Sequence, residues 1–300
     1  MILQLVVNLI ITGLVWQQTL VPAGLTLADE VQAGGDAPAL VRPIRILDNR
    51  SLGVKITAPY AIVLDIKSGE VLFEKNIHQP APIASLTKLM SALIFLEDNP
   101  DFNKIITIEA EDYRLGSTIG LFSGEQVTLR DLFYSALAGS SNNAMIALAR
   151  STGLSEEKFV EKMNGRAKLL GLNNTNFIEP TGLDSGNISS AYDIVRLANY
   201  VLRNPNIRAA VTATDYSFRV SNTGRLQKVN NTNKLLKSFL RITGGKTGFT
   251  DAAGYCLASQ VANGDGREIL VVVLGSTSEE ARFQEVKGLA WWTFENYRWE

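Results

Sequence analysis

The sequence predicts an α+β fold: one antiparallel sheet assembled from both ends of the chain and flanked by helices, with a mostly helical subdomain inserted between them. Three observations lead there. Short apolar runs separated by turn residues stand at 60–75 and again at 253–275. Between them, from 85 to about 212, apolar residues recur at helical spacing. A last helical pattern, from Thr277 to Phe294, is placed to cover the sheet.

Taken in order, residues 1–16 are nearly all apolar, and Gln17, Gln18 and small residues at Ala23, Ala28 and Ala33 follow. This is the pattern of a secretory signal, although no Lys or Arg precedes the apolar run. An uncleaved N-terminal anchor is the alternative, and a buried core helix the third reading; the run is shorter than the roughly 20 residues of a full membrane span. Residues 1–28 are therefore read as signal peptide or anchor, 29–55 as a linker and 56–300 as the folded domain. YAIVLDI (60–66) and EVLFEK (70–75) flank Lys67-Ser68-Gly69 as a hairpin. Helical patterns follow at 85–98, 128–138, 142–151, 155–170 and 190–203. Two of them open with Thr128-x-x-Asp131 and Ser190-x-x-Asp193, the pattern of a side chain and a carboxylate closing a helix start on each other. A second hairpin is centred on Asn222-Thr223-Gly224. A third flanks Asn263-Gly264-Asp265-Gly266, and the final helix is expected to start at Thr277-x-x-Glu280.

Composition excludes several chemistries. The net charge of −1 supplies no field for nucleic acid or an anionic membrane surface. One cysteine, Cys256, permits no intrachain disulfide, and it reads as a buried strand residue without a catalytic part. With one histidine, His78, and one cysteine, a zinc site would have to lean on carboxylates. Any Ser-His or Cys-His nucleophile would need His78. A covalent hydrolase here therefore takes Lys or a carboxylate as its base, and no metal or other cofactor is expected.

Ser85-Leu86-Thr87-Lys88 stands where the Pro80–Pro82 loop enters an apolar helix. At i and i+3, Ser85 and Lys88 share a face. A serine hydroxyl needs a neighbour to take its proton, and a lysine whose pKa is lowered by burial and a nearby cation can do so. The start of the helix adds N–H groups and a positive dipole end. Ser-x-x-Lys is expected roughly once by chance in such a chain. A second copy, Ser155–Lys158, fits an ordinary solvated helix start. Lys246-Thr247-Gly248 is rarer; a Lys and a Thr hydroxyl together bind a carboxylate, and the Phe249 N–H points into the same space. The bland reading is a Gly-rich turn with a surface lysine. Ser140-Ser141-Asn142 lies between two helical runs, where polar residues serve as caps. Read instead as Ser-x-N, it supplies a proton-relaying hydroxyl and an amide; Ser141/Asn143 and Ser185/Asn187 are rival placements.

The three motifs in this order resemble the penicillin-binding and serine β-lactamase superfamily, whose signatures are S-x-x-K, S-x-N and K-T-G. The resemblance extends over roughly 55–298 to the low-molecular-mass D-alanyl-D-alanine carboxypeptidases and endopeptidases of peptidase family S11. It runs through Pro82–Met90, Gly124–Leu132, Ser140–Ala144, Pro180–Asp184, Asn231–Leu236 and Gly245–Tyr255. It implies a five-stranded antiparallel sheet and selects Ser140 and Asn142, because Asn143-Ala144 continue the family's pattern. Two departures stand out: Ser141 replaces the usual Gly of Ser-Gly-Asn, and Thr181 and Phe249 stand where some relatives have His, which bears on substrate preference.

The resemblance also implies roles. Ser85 is the nucleophile, Lys88 its base, and Ser140 the proton relay to the leaving amine, helped by Lys246. Asn142, Lys246, Thr247, Gly248 and Phe249 hold the substrate, with the N–H groups of Ser85 and Phe249 around the oxyanion. The expected partners are peptidoglycan stem peptides, with β-lactams as covalent inhibitors. No nucleic acid is expected, and a membrane only through the N-terminal segment if it is uncleaved. The expected activity is removal of terminal D-Ala outside the cytoplasm; cleavage of cross-links is the alternative. A class A β-lactamase would carry E-x-x-L-N between Asn142 and Lys246, and no such string occurs there. A non-catalytic wall-binding relative would lack Ser85, Lys88 or Lys246, and all three are present.

Overall fold

The computed structural model describes residues 41–46, 51–114, 116 and 120–300. The leader and most of the stretch read as a linker lie outside these residues. The hairpin β1 (Tyr60–Asp65) and β2 (Val71–Lys75) comes from the N-terminal side. The strands β3 (Arg241–Thr250), β4 (Gly254–Ala262) and β5 (Glu268–Ser276) come from the C-terminal side. They form one five-stranded sheet in the order β3-β4-β5-β1-β2, antiparallel at every junction. The two chain ends meet at β5–β1, where Ile269 to Leu274 pair with Asp65 to Tyr60.

The uninterrupted apolar runs of β1 and β5 have a physical reason. Successive strand residues point to opposite faces, and both faces of this sheet are covered. Ile62, Leu64, Leu270, Val272 and Leu274 pack into the large core shared with the helical insertion. Ala61, Val63, Ile269, Val271 and Val273 pack on the other face against Phe283, Val286, Leu289 and Ala290 of the C-terminal helix.

The insertion holds α1 (Lys88–Leu96), α2 (Leu129–Leu137), α3 (Asn142–Ser151), α4 (Glu156–Leu169), α5 (Ala191–Val201) and α6 (Pro205–Thr212); α7 (Glu279–Asn296) closes the chain. The Thr128–Asp131 box is complete in both directions. At Ser190 only half of it forms: Ser190 Oγ accepts from the Asp193 N–H, while Asp193 turns to the Asn174 N–H and the Thr175 hydroxyl. The final helix is capped by Ser278, one residue beyond the expected Thr277, because the Thr277 hydroxyl bonds Thr57 instead. Residues 85–212 are less uniformly helical than their spacing suggests. Within them Ile188–Ser189 forms a two-residue strand paired with Ala81–Pro82, and Ile105–Thr107 pairs with Gln126–Thr128. Pro43–Arg45, inside the stretch read as linker, pairs with Tyr297–Trp299.

Helix α1 is the axis of the insertion and is buried nearly all round, Lys88 and Phe95 included. The Phe95 ring lies 5.7 Å from Phe133 and 6.1 Å from Phe102, edge-on to the latter. Phe95→Ala is expected to lower the unfolding free energy by about 3–5 kcal/mol, read as the shift in a urea unfolding curve; a change under about 1 kcal/mol would show that this aromatic cluster does not hold α1.

Candidate active site

The chain enters α1 through a forced turn. Ala81–Pro82 pairs with Ile188–Ser189, and the Ile83 N–H donates to the Asn187 carbonyl at 3.1 Å. Ala84 then takes φ +47°, in the left-handed region that costs a non-glycine residue of order 1–3 kcal/mol. Ala84–Thr87 forms a 3₁₀ turn, with the Thr87 hydroxyl donating to the Ala84 carbonyl at 2.8 Å. With three residues per turn, side chains at i and i+3 eclipse, so Ser85 stands directly beside Lys88. Ser85 therefore occupies the 3₁₀ turn ahead of the α-helix, whose first residue is Lys88. Lys88 Nζ is hydrogen-bonded to Ser85 Oγ (2.8 Å), Asn142 Oδ1 (2.7 Å) and the Thr181 carbonyl (2.7 Å).

The turn between α2 and α3 divides its polar residues between structure and site. Ser141 caps α3, its Oγ accepting from the Ala144 N–H. Ser140, at φ +58°, points its hydroxyl to Lys246 Nζ at 2.8 Å. Asn142 reaches Lys88, whereas Asn143 Oδ1 accepts from the Arg114 N–H. The rival Asn187 is buried and serves a loop: it accepts from the Ile178 N–H and donates to the Glu179 carboxylate.

Lys246, Thr247, Gly248 and Phe249 lie on β3, one of the two edge strands, whose free side faces the Ser85 turn. Gly248 makes this approach feasible, since a Cβ there would sit 3.0 Å from both the Ile83 carbonyl and the Ser85 N–H nitrogen. Lys246 Nζ also donates to the Thr247 carbonyl at 2.8 Å, and the Thr247 hydroxyl is 2.5 Å from that of Thr232. Phe249 stands half-exposed at the rim, stacked on Tyr255 with ring centres 4.2 Å apart. Ser85, Ser140, Asn142, Thr247, Gly248 and Phe249 line one open cleft of about 570 Å³. Lys88 and Lys246 are buried and reach the cleft through hydrogen bonds to two of its lining residues, Ser85 and Ser140.

Burial dominates the electrostatics. It pushes the Lys88 amine down from 10.5 to about 7, opposed by the nearby Glu179 carboxylate. Lys246 is held well below its usual range by burial, then by Lys88 and Arg282. Arg282 lines the same cleft, its Nη1 donating to the Gly248 carbonyl at 2.9 Å, and sequence reasoning missed it. Its only signal is a cation next to Phe283 in the apolar stripe of the last helix. Thr232 and the Thr181 carbonyl were missed as well. Every residue has a carbonyl, so only the fold can select the one at position 181.

Gly182 is the tightest point around the turn. Its φ is +87°, and a Cβ there would lie 1.9 Å from the Ala84 carbonyl oxygen. Gly182→Ala is expected to cost more than about 2 kcal/mol, from backbone strain plus displacement of the Ser85 turn. Urea denaturation measures it, and wild-type stability would mean that the two loops are not in register as described.

Residues 48–278 match the family described as the D-alanyl-D-alanine carboxypeptidases, peptidase S11. The chain is 37% identical over 238 residues to a D-alanyl-D-alanine carboxypeptidase of Bacillus subtilis, covering 77% of this chain and 61% of that protein. It is 31% identical over 239 residues to a D-alanyl-D-alanine endopeptidase of Pseudomonas aeruginosa, covering 77% of this chain and 76% of that one. The chain thus spans about three-fifths of the length of the Bacillus relative. Among solved structures, the Streptomyces K15 DD-transpeptidase superposes with a TM-score of 0.77 at 29% identity, covering 82% of this chain and all of that one. With its α+β fold and antiparallel five-stranded sheet, this chain belongs to the S11 family of D-alanyl-D-alanine carboxypeptidases.

Proposed function

We propose that this protein is a serine D-alanyl-D-alanine carboxypeptidase acting on peptidoglycan stem peptides outside the cytoplasm. The observation that carries the reading is the fully buried Lys88 amine, 2.8 Å from Ser85 Oγ, with a pKa lowered to about 7. A neutral amine at that distance is a competent general base.

In the proposed reaction, Lys88 takes the Ser85 proton and Ser85 Oγ attacks the carbonyl between the two D-alanines. The N–H groups of Ser85 and Phe249 receive the oxyanion. Ser140, polarised by Lys246, delivers a proton to the departing D-Ala amine and is restored by the proton that Lys88 took from Ser85, so that the C–N bond breaks, an ester on Ser85 remains and Lys88 is again a neutral base. Lys246 and Thr247 hold the terminal carboxylate, in a cleft to which Arg282 adds positive charge. Water then hydrolyses the ester and restores the Ser85 hydroxyl. A β-lactam mimics the substrate amide and acylates the same oxygen. On this reading residues 1–28 are the export signal or anchor, 29–55 the connection and 56–300 the catalytic domain. Relatives named endopeptidases, the Pseudomonas protein among them, support cleavage of cross-links as a second reading.

Three outcomes follow. Ser85→Ala abolishes labelling by a fluorescent penicillin, and a variant that still labels removes Ser85 from the nucleophile role. The wild-type acylation rate falls as pH drops through about 7, because a depressed amine is protonated, and useless as a base, only below its folded pKa. A rate flat across that range argues against Lys88 as the base, as does normal acylation by Lys88→Ala. On purified muropeptides, loss of one D-Ala from pentapeptide monomers is expected, whereas splitting of cross-linked dimers alone would favour the endopeptidase reading.

A further inference from the structure

Glu179 belongs to none of the three motifs, yet its carboxylate is the hub of the loop that completes the floor of the cleft. One oxygen accepts from the Thr181 N–H at 2.7 Å and the Thr181 hydroxyl at 2.6 Å. The other accepts from the Gly182 N–H and the Asn187 side-chain amide. Asn187 in turn passes its carbonyl to the Ile83 N–H, two residues before Ser85. The Thr181 carbonyl, fixed by this arrangement, faces Lys88 Nζ at 2.7 Å. The loop thus touches the Ser85 turn at Ile83, at Ala84 through Gly182, and at Lys88.

We propose that Glu179 is a positioning residue for the acylation step: its four accepted hydrogen bonds aim the Thr181 carbonyl at the Lys88 amine, and its charge governs how readily that amine is protonated. This inference rests on the reading of Lys88 as the base. The charges that bear on the Lys88 site are few. Glu179 acts from the loop, Lys246 on β3 is coupled to Lys88, and Arg282 on α7 acts on Lys246. The direct partners of Lys88, namely Ser85, Asn142 and the Thr181 carbonyl, are uncharged. Glu179 is the one anion in this group. Burial favours the neutral amine and Glu179 opposes it, so removing the carboxylate leaves burial unopposed.

The test is the pH dependence of acylation by a fluorescent penicillin, measured on the full chain between about pH 5 and about pH 9. In Glu179→Gln the maximal rate is expected to fall, because an amide N–H₂ now meets two of the four donors. The acid limb is expected to move to lower pH by roughly one unit. Glu179→Asp, which keeps the charge, returns the limb to the wild-type position even where its maximal rate stays low. Glu179→Ala gives the same readout should the amide variant not fold, since it removes the charge without opposing N–H groups. A purely structural role would lower the rate and leave the limb in place; that result, or an unchanged rate and limb, overturns the proposal. Failure of the underlying reading is separate, since wild-type protein would then show no acid limb and Lys88→Ala would acylate normally.

Discussion

The burial of one amine constrains much of this molecule. Lys88 opens a helix that is surrounded by the core, and its Nζ has no contact with water. A charged ammonium there would be costly; a drop from 10.5 to about 7 corresponds to about 5 kcal/mol in favour of the neutral form. The neutral form still needs partners, and three oxygens from three parts of the chain supply them: Ser85, Asn142 and Thr181. The helical insertion, the α2–α3 turn and the 179–187 loop are all held to this point. A change in any one of them leaves a buried polar group unsatisfied or moves the serine.

Strain accompanies this arrangement. Ala84 and Ser140, neither a glycine, both sit in the left-handed region, each next to or at a group that reaches a lysine. The surrounding packing supports these conformations. β3 lies close against the Ser85 turn, with no room for a side chain at Gly248, and Gly182 closes it from the opposite loop. The sheet supplies a stiff frame because both its faces are buried, one under the insertion and one under α7. Preorganisation of this kind lets the donors and the base stand in place before substrate arrives.

Much of the fold was legible because its signals are local. Turn residues at 67–69 and 263–266, apolar runs in β1 and β5, and the Thr128–Asp131 box each act over a few residues, and the structure contains the corresponding elements. The failures occur where a distant residue competes. Asp193 abandons its cap for Asn174 and Thr175, Thr277 abandons its cap for Thr57, and the short strands at 81–82 and 188–189 form through pairing between distant segments. At the site, the spacing of Ser85 and Lys88 was enough to put them together. The choice between Ser140/Asn142 and Ser185/Asn187 was not available from spacing, since both copies fit the same pattern.

The sequence by itself determined which groups of this protein are chemically able to act: a serine three residues from a lysine, a second lysine beside a threonine and glycines, and no histidine pair or cysteine set to compete with them. It also determined, through periodicity, that strands from both ends of the chain bracket a helical insertion. Only the tertiary structure decided that the two lysines are dry, that Asn187 holds a loop while Asn142 meets Lys88, and that Glu179, Arg282 and a backbone carbonyl at Thr181 join the site. The reason is that burial and electrostatic coupling depend on distances between residues far apart in the chain, and those distances exist only once the chain is packed.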